Sequence, residues 1–166
     1  MLQPVRRRTW APRGQTPIQW AWDRHDRLSA IAVLTLSPAR RSPSLYFQLL
    51  PHNVCADDMI WFLVQMHRHF GRKIILVWDR SSVHRSAAKF FEQQHAGWFQ
   101  FEWLPAYAPE LNPTEQIWNH AKYSDLANFI PKDVTHLNKE VRQSFHDQQE
   151  SPTLIRSFFQ HAGLDL

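Results

Sequence analysis

The sequence predicts a single α/β domain, and three observations support this. The chain has 166 residues, a length typical of one domain rather than two. Hydrophobic residues make up 43% of it, which is enough for a core and argues against a disordered protein. Segments with strand character and segments with helix character follow in the order β-β-α-β-α-β-α-α, which is typical of an α/β fold.

The first half of the chain predicts a hairpin, a helix and a buried strand. Residues 28–36 and Ser44–Leu50 are apolar segments separated by a polar, proline-containing stretch, which favours an antiparallel hairpin. Residues 59–70 have the length and apolar content of a helix that Gly71 ends. The unbroken apolar run Ile74–Trp78 is typical of a central parallel strand that is buried on both faces and reached by a crossover connection.

The second half predicts a strand between helices. Residues 85–95 form a candidate helix and residues 99–104 a candidate strand. Residues 113–126 predict a further helix. Residues 133–162 predict one or two terminal helices, with a break near Ser151 where a proline follows.

Positive charge is concentrated in the first quarter of the chain. Residues 1–41 contain eight arginines and two aspartates, whereas the remainder has 11 basic and 13 acidic residues. Two interpretations are open: a solvated basic edge, or a surface for phosphates, because a guanidinium can bind two phosphate oxygens at once. The candidate nucleic-acid contacts are Arg6, Arg7, Arg8 and Arg13.

The composition excludes a transmembrane protein and favours the cytoplasm. The longest apolar run, residues 59–64, is six residues long, far short of the roughly 20 that a membrane helix needs. The amino terminus lacks the continuous apolar stretch of a secretory signal. Cys55 is the single cysteine, so no intramolecular disulfide can form, and we expect a cytoplasmic protein.

Asp79 is a charged residue directly after the buried strand. It either begins a polar loop where the strand reaches solvent, or it binds a metal, because ligands of open α/β sheets gather at the carboxyl ends of strands. His84 follows five residues later, as a polar partner in the same pocket or as a residue of the next helix.

Glu115 also has two interpretations. Asn112 can cap a helix, Pro113 suits the first helical position, and Glu115 then falls where a carboxylate closes a capping box. The same helix start follows a strand closely, so its first-turn carboxylate points towards the carboxyl end of the sheet, near Asp79. Two such carboxylates suit Mg²⁺, a hard ion that prefers oxygen ligands. Paired ions of this kind serve phosphoryl transfer.

The segment from Leu104 to Trp118, LPAYAPELNPTEQIW, closely resembles the LPxYSPxLNPxE…W signature of DDE transposases of the mariner-like superfamily, in the bacterial insertion-sequence branch. Ile74 to Asp79 with His84 resembles the strand of that family that ends in a catalytic Asp followed by a nearby His. Residues 9–17 are similar to the turn just after the family's first catalytic strand. The resemblance spans about residues 5–145.

The resemblance implies an RNase H-like fold, a mixed sheet with helices on both faces, and a DNA-cutting and DNA-joining activity. Asp79 would be the second acid and Glu115 the third acid of the D, D, E triad, with 35 residues between them, and each would bind catalytic Mg²⁺ or Mn²⁺. His84, Asn112 and Lys122 would support the site. The partners would be DNA, as transposon ends and target.

Departures from the family motif lead to a further expectation. Arg80 stands where the family usually has Asn, and Ala108 replaces a common Ser. The family's first Asp lies on a strand just before the turn of residues 9–17, and no acid precedes that turn here. Asp23 and Asp26 follow it and do not match the motif. We therefore expect a chain that lacks the first strand, the first catalytic Asp and the family's amino-terminal DNA-reading part.

The expected organisation is a partial RNase H-like DDE catalytic domain over residues 1–130 and a helical extension of the same domain over residues 131–166. The leading hypothesis is a truncated DDE transposase catalytic domain, partnered by an upstream transposase polypeptide or by a second copy of itself. The alternative is a catalytically inactive RNase H-like remnant that binds DNA or a partner transposase. A different metal-dependent nuclease of this fold would also use Asp79 and Glu115, but it would not carry the LPxY signature.

Overall fold

The computed structural model describes residues 7, 8, 10–18 and 27–166. These contain four strands and five α-helices in the predicted order. Two short helical turns are also present, a 3₁₀ turn at Pro109–Leu111 and a π-helical turn at Ala121–Asp125. The strands and helices are β1 Ser29–Thr35, β2 Ser44–Leu50, α1 Ala56–Phe70, β3 Ile74–Trp78, α2 Ser82–Gln94, β4 Phe99–Trp103, α3 Glu115–His120, α4 Val134–Gln149 and α5 Pro152–His161.

The strands form two separate two-stranded sheets within the described part of the chain. β1 and β2 pair as the predicted antiparallel hairpin, with Ser29 opposite Leu50 and Thr35 opposite Ser44. β3 and β4 pair in parallel, joined by the crossover through α2. No ladder joins β1 to β3.

One hydrophobic cluster, the α1–α2 core, spans both sheets. Helices α1 and α2 pack together over Ile31 of β1 and over Leu76 and Trp78 of β3. All three of these strand residues are less than 9% exposed. The two sheets are therefore held on the same helical layer although their strands do not pair with each other.

A second cluster, the α4–α5 core, covers the other face of the hairpin. Leu45 of β2 is fully buried there against Phe145 of α4 and Ile155 of α5. Alternate residues of β1 and β2 thus enter opposite clusters, because successive side chains of a strand point to opposite faces. Helix cover on both faces explains why residues 28–36 show no polar alternation.

β3 differs from its prediction. The apolar run predicted a strand buried on both faces, but Ile75 is 64% and Val77 56% exposed. Their cross-strand partners on β4, Gln100 and Glu102, are exposed too. That prediction is wrong for the described part of the chain, because there the helices cover one face of this sheet.

Several helix boundaries also differ from the predictions. α1 begins at Ala56 and α2 at Ser82, each three residues before its predicted start. The helix predicted over residues 113–126 begins at Glu115, and its last turn is π-helical. The terminal segment forms two helices that meet at Ser151, as one of the two options predicted. No helix in the described residues is long and apolar enough to cross a membrane.

Candidate active site

The candidate site lies at the edge of the β3–β4 sheet where both strands end. Because these strands are parallel, their carboxyl ends meet at one edge, which is where open α/β sheets bind ligands. The Leu104 N–H donates a 2.9 Å hydrogen bond to the Trp78 carbonyl, so the pairing continues one residue past β4. Asp79 follows Trp78, and the loop of residues 104–114 leads from Leu104 to Glu115. Segments that leave the same sheet edge therefore carry the two predicted acids.

Asp79 begins the turn that leads into α2. Its Oδ1 accepts hydrogen bonds from the Ser81 N–H at 2.8 Å and from His84 Nδ1 at 2.7 Å. The Ser81 hydroxyl accepts the His84 backbone N–H at 3.3 Å and so caps α2. Both bonds to Asp79 end on Oδ1, and neither uses Oδ2. The side chain is 56% exposed, so the carboxylate is held in one orientation and remains open to solvent.

The same surroundings determine the charge of Asp79. Partial burial raises the pKa of the Asp79 carboxyl, but the hydrogen bond from Ser81 and the imidazole of His84 together lower it by more. The pKa of Asp79 therefore lies below its ordinary value of 3.8. The carboxylate stays ionised at neutral pH, which is the form that binds a hard cation.

His84 is fixed between the carboxylate and a buried ring. Its imidazole stacks on the Trp78 indole, with ring centroids 4.6 Å apart and planes inclined by 16°. Trp78 is 6% exposed, and its indole N–H has no hydrogen-bond partner among the described residues. The indole therefore holds His84 through ring stacking. The structure brings His84 and Asp79 together, and the supporting role of His84 stays a prediction.

The capping-box interpretation of Glu115 is wrong. Asn112 Oδ1 accepts the Thr114 N–H at 3.1 Å, and the Asn112 N–H donates to the Pro109 carbonyl at 3.0 Å. The N–H that a capping-box Glu115 would accept is thus already bonded. α3 begins at Glu115 itself, after Thr114, which makes no side-chain cap. The Glu115 carboxylate makes no hydrogen bond or ion pair with any other described residue.

The α4–α5 core fixes the backbone of α3. Ile117, two residues after Glu115, is fully buried in that core, and Ala121 is 5% exposed. Trp118 packs beside Phe145 with ring centroids 5.6 Å apart, so it is part of this core. This packing holds the first turn of α3, which begins at Glu115.

The predicted basic site residues that the structure describes are exposed, and two of them, Lys122 and Arg7, lie near the end of α3. Lys122 lies in the π-helical turn and is exposed. Arg7 is bound to the same segment: its backbone N–H donates to Asn128 Oδ1 at 2.8 Å, and its guanidinium donates to the Tyr123 carbonyl. These contacts, across more than 110 residues of sequence, gave no signal in the sequence. Arg8 and Arg13 are exposed, and Arg6 lies outside the described residues.

The residues of the site fit a divalent cation in part. Carboxylate oxygens are the ligands that Mg²⁺ prefers, and Asp79 and Glu115 supply them. Within the described part of the chain, no three His, Cys, Asp or Glu residues come together as a metal-binding group. Asp23 and Asp26, the acids nearest to the expected position of the family's first Asp, lie outside the described residues. That Asp79 and Glu115 share a metal stays a prediction.

Comparison with known proteins identifies the family. The model of the DDE superfamily endonuclease matches residues 1–138. Among solved structures the chain is similar to a chain in the crystal structure of the Mos1 strand transfer complex, with a TM-score of 0.53 and 17% identity. The match covers 98% of this chain and 47% of that chain, so this chain spans about half the length of the solved one. No curated protein matches.

The likeness to that chain and the mixed α/β architecture confirm the predicted RNase H-like fold. The family model covers far more than half of the sequence. The chain therefore belongs to the DDE endonuclease superfamily, whose members depend on divalent metal ions.

Proposed function

We propose that this chain is the catalytic domain of a DDE transposase, with the first catalytic strand and its acid contributed by residues outside this sequence. The observation that supports this most concerns the two acids that follow β3 and β4: Asp79 is bonded through one oxygen, and the Glu115 carboxylate bonds no described residue. Glu115 lies on a helix turn that is held by the α4–α5 core, and its carboxylate serves no structural contact with a described residue, so it can bind a ligand. The reaction would be cleavage at transposon ends and transfer of the 3′-hydroxyl into target DNA.

Asp79 and Glu115 would hold the Mg²⁺ or Mn²⁺, which when bound activates the attacking oxygen and stabilises the leaving oxygen. His84 would keep the Asp79 carboxylate in the orientation that binds the ion, since it bonds Oδ1 at 2.7 Å and is itself held by Trp78. Asn112 would fix the start of α3 through its bond to the Thr114 N–H. Lys122 and the exposed arginines would contact DNA phosphates.

The two separate sheets support the proposed missing strand. The Ile74 N–H donates to the Trp98 carbonyl, so by alternation the N–H groups of Ile75 and Val77 point away from β4. Unpaired strand edges template further pairing, and a lone two-stranded sheet is marginally stable. β1 and β3 share the α1–α2 core without pairing. A strand inserted between them would join all the strands into one sheet and would bring the first catalytic Asp beside Asp79.

The proposed partners are an upstream transposase polypeptide, which would contribute that strand, or a second copy of this chain. The cytoplasm is the proposed location, and the bacterial insertion-sequence branch of the mariner-like superfamily is the proposed lineage. Both rest on the signature motif from Leu104 to Trp118 and on the composition.

A catalytically inactive remnant that binds DNA or a partner transposase is the second candidate function. The observation that favours it is the number of acids: no three His, Cys, Asp or Glu residues come together among the described residues, whereas the family's triad has three acids. The basic amino-terminal quarter would then carry the remaining function, which is phosphate contact.

The first prediction concerns activity. We expect the chain alone to be inactive in nicking and strand transfer on DNA that carries the element's ends, with Mg²⁺ or Mn²⁺. A strand-extended chain, joined at Met1 to the first catalytic strand of a family relative, should be active. In it, Asp79→Asn and Glu115→Gln should each lower the rate about a hundredfold or more, because each removes a metal ligand.

The matched control for the acids is Glu92→Gln, which removes an exposed carboxylate from α2, and it should leave the rate unchanged. Activity of the unextended chain that disappears with Asp79→Asn would contradict the missing-acid proposal and would point to Asp23 or Asp26. A strand-extended chain that stays inactive would favour the remnant.

The second prediction concerns His84. In the strand-extended chain, His84→Ala should raise the Mg²⁺ concentration for half-maximal nicking about 10- to 100-fold, the usual effect of losing a residue that orients a metal ligand. His84→Asn should recover part of this loss, because its amide can donate from nearly the position of Nδ1. Equal effects of Ala and Asn would show that the Asp79–His84 hydrogen bond is not what matters.

The third prediction concerns DNA affinity. Replacing Arg6, Arg7, Arg8 and Arg13 by Gln should weaken binding equally on every DNA sequence and flatten its salt dependence, because phosphate contacts carry no base information. Fluorescence anisotropy at several salt concentrations measures both effects. Gln at four exposed basic positions elsewhere, Arg68, Arg72, Lys89 and Arg142, is the matched control. A strong preference of the wild-type chain for one duplex would contradict the prediction.

A further inference from the structure

Tyr107 is a fully exposed aromatic residue beside the candidate site. Its relative exposure is 101%, and it lies in the loop of residues 104–114 that connects β4 to Glu115. Tyrosine normally packs its ring against other side chains and leaves only its hydroxyl in water. At Tyr107 the whole ring is in solvent, so the fold itself makes no use of it.

The backbone at Tyr107 is also unusual. Its φ is +58°, a left-handed conformation that glycine adopts easily and a tyrosine rarely adopts. Arg40 and Asn128 are the other non-glycine residues with positive φ in the described part of the chain. Pro105 and Pro109 fix φ on either side of it and limit the motion of the loop. Strained residues of this kind persist where the surroundings hold them, often at functional sites.

The loop begins and ends at the candidate site. Its first residue, Leu104, bonds to the Trp78 carbonyl next to Asp79, and its last residue precedes Glu115. A DNA strand bound at the metal site that Asp79 and Glu115 would form would therefore lie beside the loop that carries Tyr107. Exposed aromatic rings bind unpaired bases by stacking, and they do so whatever the base, because every base has a flat apolar face.

We propose that Tyr107 stacks on an unpaired base next to the phosphate that binds at the metal site of Asp79 and Glu115. The inference rests on the proposed function, and it adds a DNA contact that selects unpaired ends over intact duplex. A nucleobase fits better than a protein partner because Tyr107 is the one aromatic ring of this loop, and the other exposed loop residues are small, charged or proline apart from Leu111. One ring suffices for a base, whereas a protein interface needs a larger apolar patch.

The test is binding of the full chain to a duplex with a short single-stranded tail, with 2-aminopurine at the first unpaired position. Wild type should quench the probe's fluorescence by stacking. Tyr107→Phe should bind within about twofold of wild type, and Tyr107→Ala about tenfold more weakly, as expected for one lost stacking contact. Wild type and both variants should bind a blunt duplex with equal affinity. Trp61→Ala, which removes an exposed aromatic ring from α1, is the control and should match wild type.

A second variant separates stacking from folding. Tyr107→Gly should bind the tail as weakly as Ala does, yet melt at or above the temperature of wild type, because glycine relieves the positive φ. If wild type binds DNA and Tyr107→Ala binds the tailed duplex with equal affinity, this inference is overturned and the proposed function is left intact. Wild type that binds no DNA would overturn both. Tyr107→Ala that dissociates a dimer without changing tail affinity would show that the ring contacts a second copy instead.

Discussion

The parallel pairing of β3 with β4 is the constraint on which the candidate site depends. It aligns the carboxyl ends of the two strands, and the bond from the Leu104 N–H to the Trp78 carbonyl extends this alignment into the segments that follow. Asp79 leaves the sheet on one side of that bond, and the loop to Glu115 leaves on the other. A shift of one residue in this register would turn the Trp78 side chain to the other face of the sheet. Asp79, His84, Tyr107 and Glu115 all lie in the segments that leave this pair of strands at their carboxyl ends.

The fold supports the site with two different cores. The α1–α2 core buries Trp78, on which His84 stacks, and so stabilises the geometry of Asp79. The α4–α5 core buries Ile117 and so fixes the helix start at Glu115. Each acid thus depends on its own hydrophobic cluster, and the sheets that the clusters cover are not paired with each other in the described residues. An added strand that pairs with both sheets would therefore act mainly on the position of Asp79 relative to Glu115.

The sequence predicted the features that depend on local chemistry. Its turn residues and apolar runs were sufficient to predict the element order and the hairpin. The position of Asp79 directly after an apolar strand was sufficient to predict that it lies at the carboxyl end of that strand. The sequence could not decide whether Glu115 closes a capping box. That depends on the Asn112 N–H, which the 3₁₀ turn bonds to the Pro109 carbonyl. The exposed face of β3 was missed because an apolar run does not reveal which neighbours are present. The bond from Arg7 to the Tyr123 carbonyl joins distant segments, and no local pattern encodes it.

Hydrogen exchange at β3 tests the central claim, that the fold holds a place for one more strand between β1 and β3. The amides of Ile75 and Val77 point away from β4, whereas that of Leu76 points towards it, so the strand carries its own internal control. We predict that Ile75 and Val77 exchange fast in the chain alone and become protected in the strand-extended chain, with Leu76 protected in both. Protection of Ile75 and Val77 in the chain alone, or no change on extension, would contradict the account.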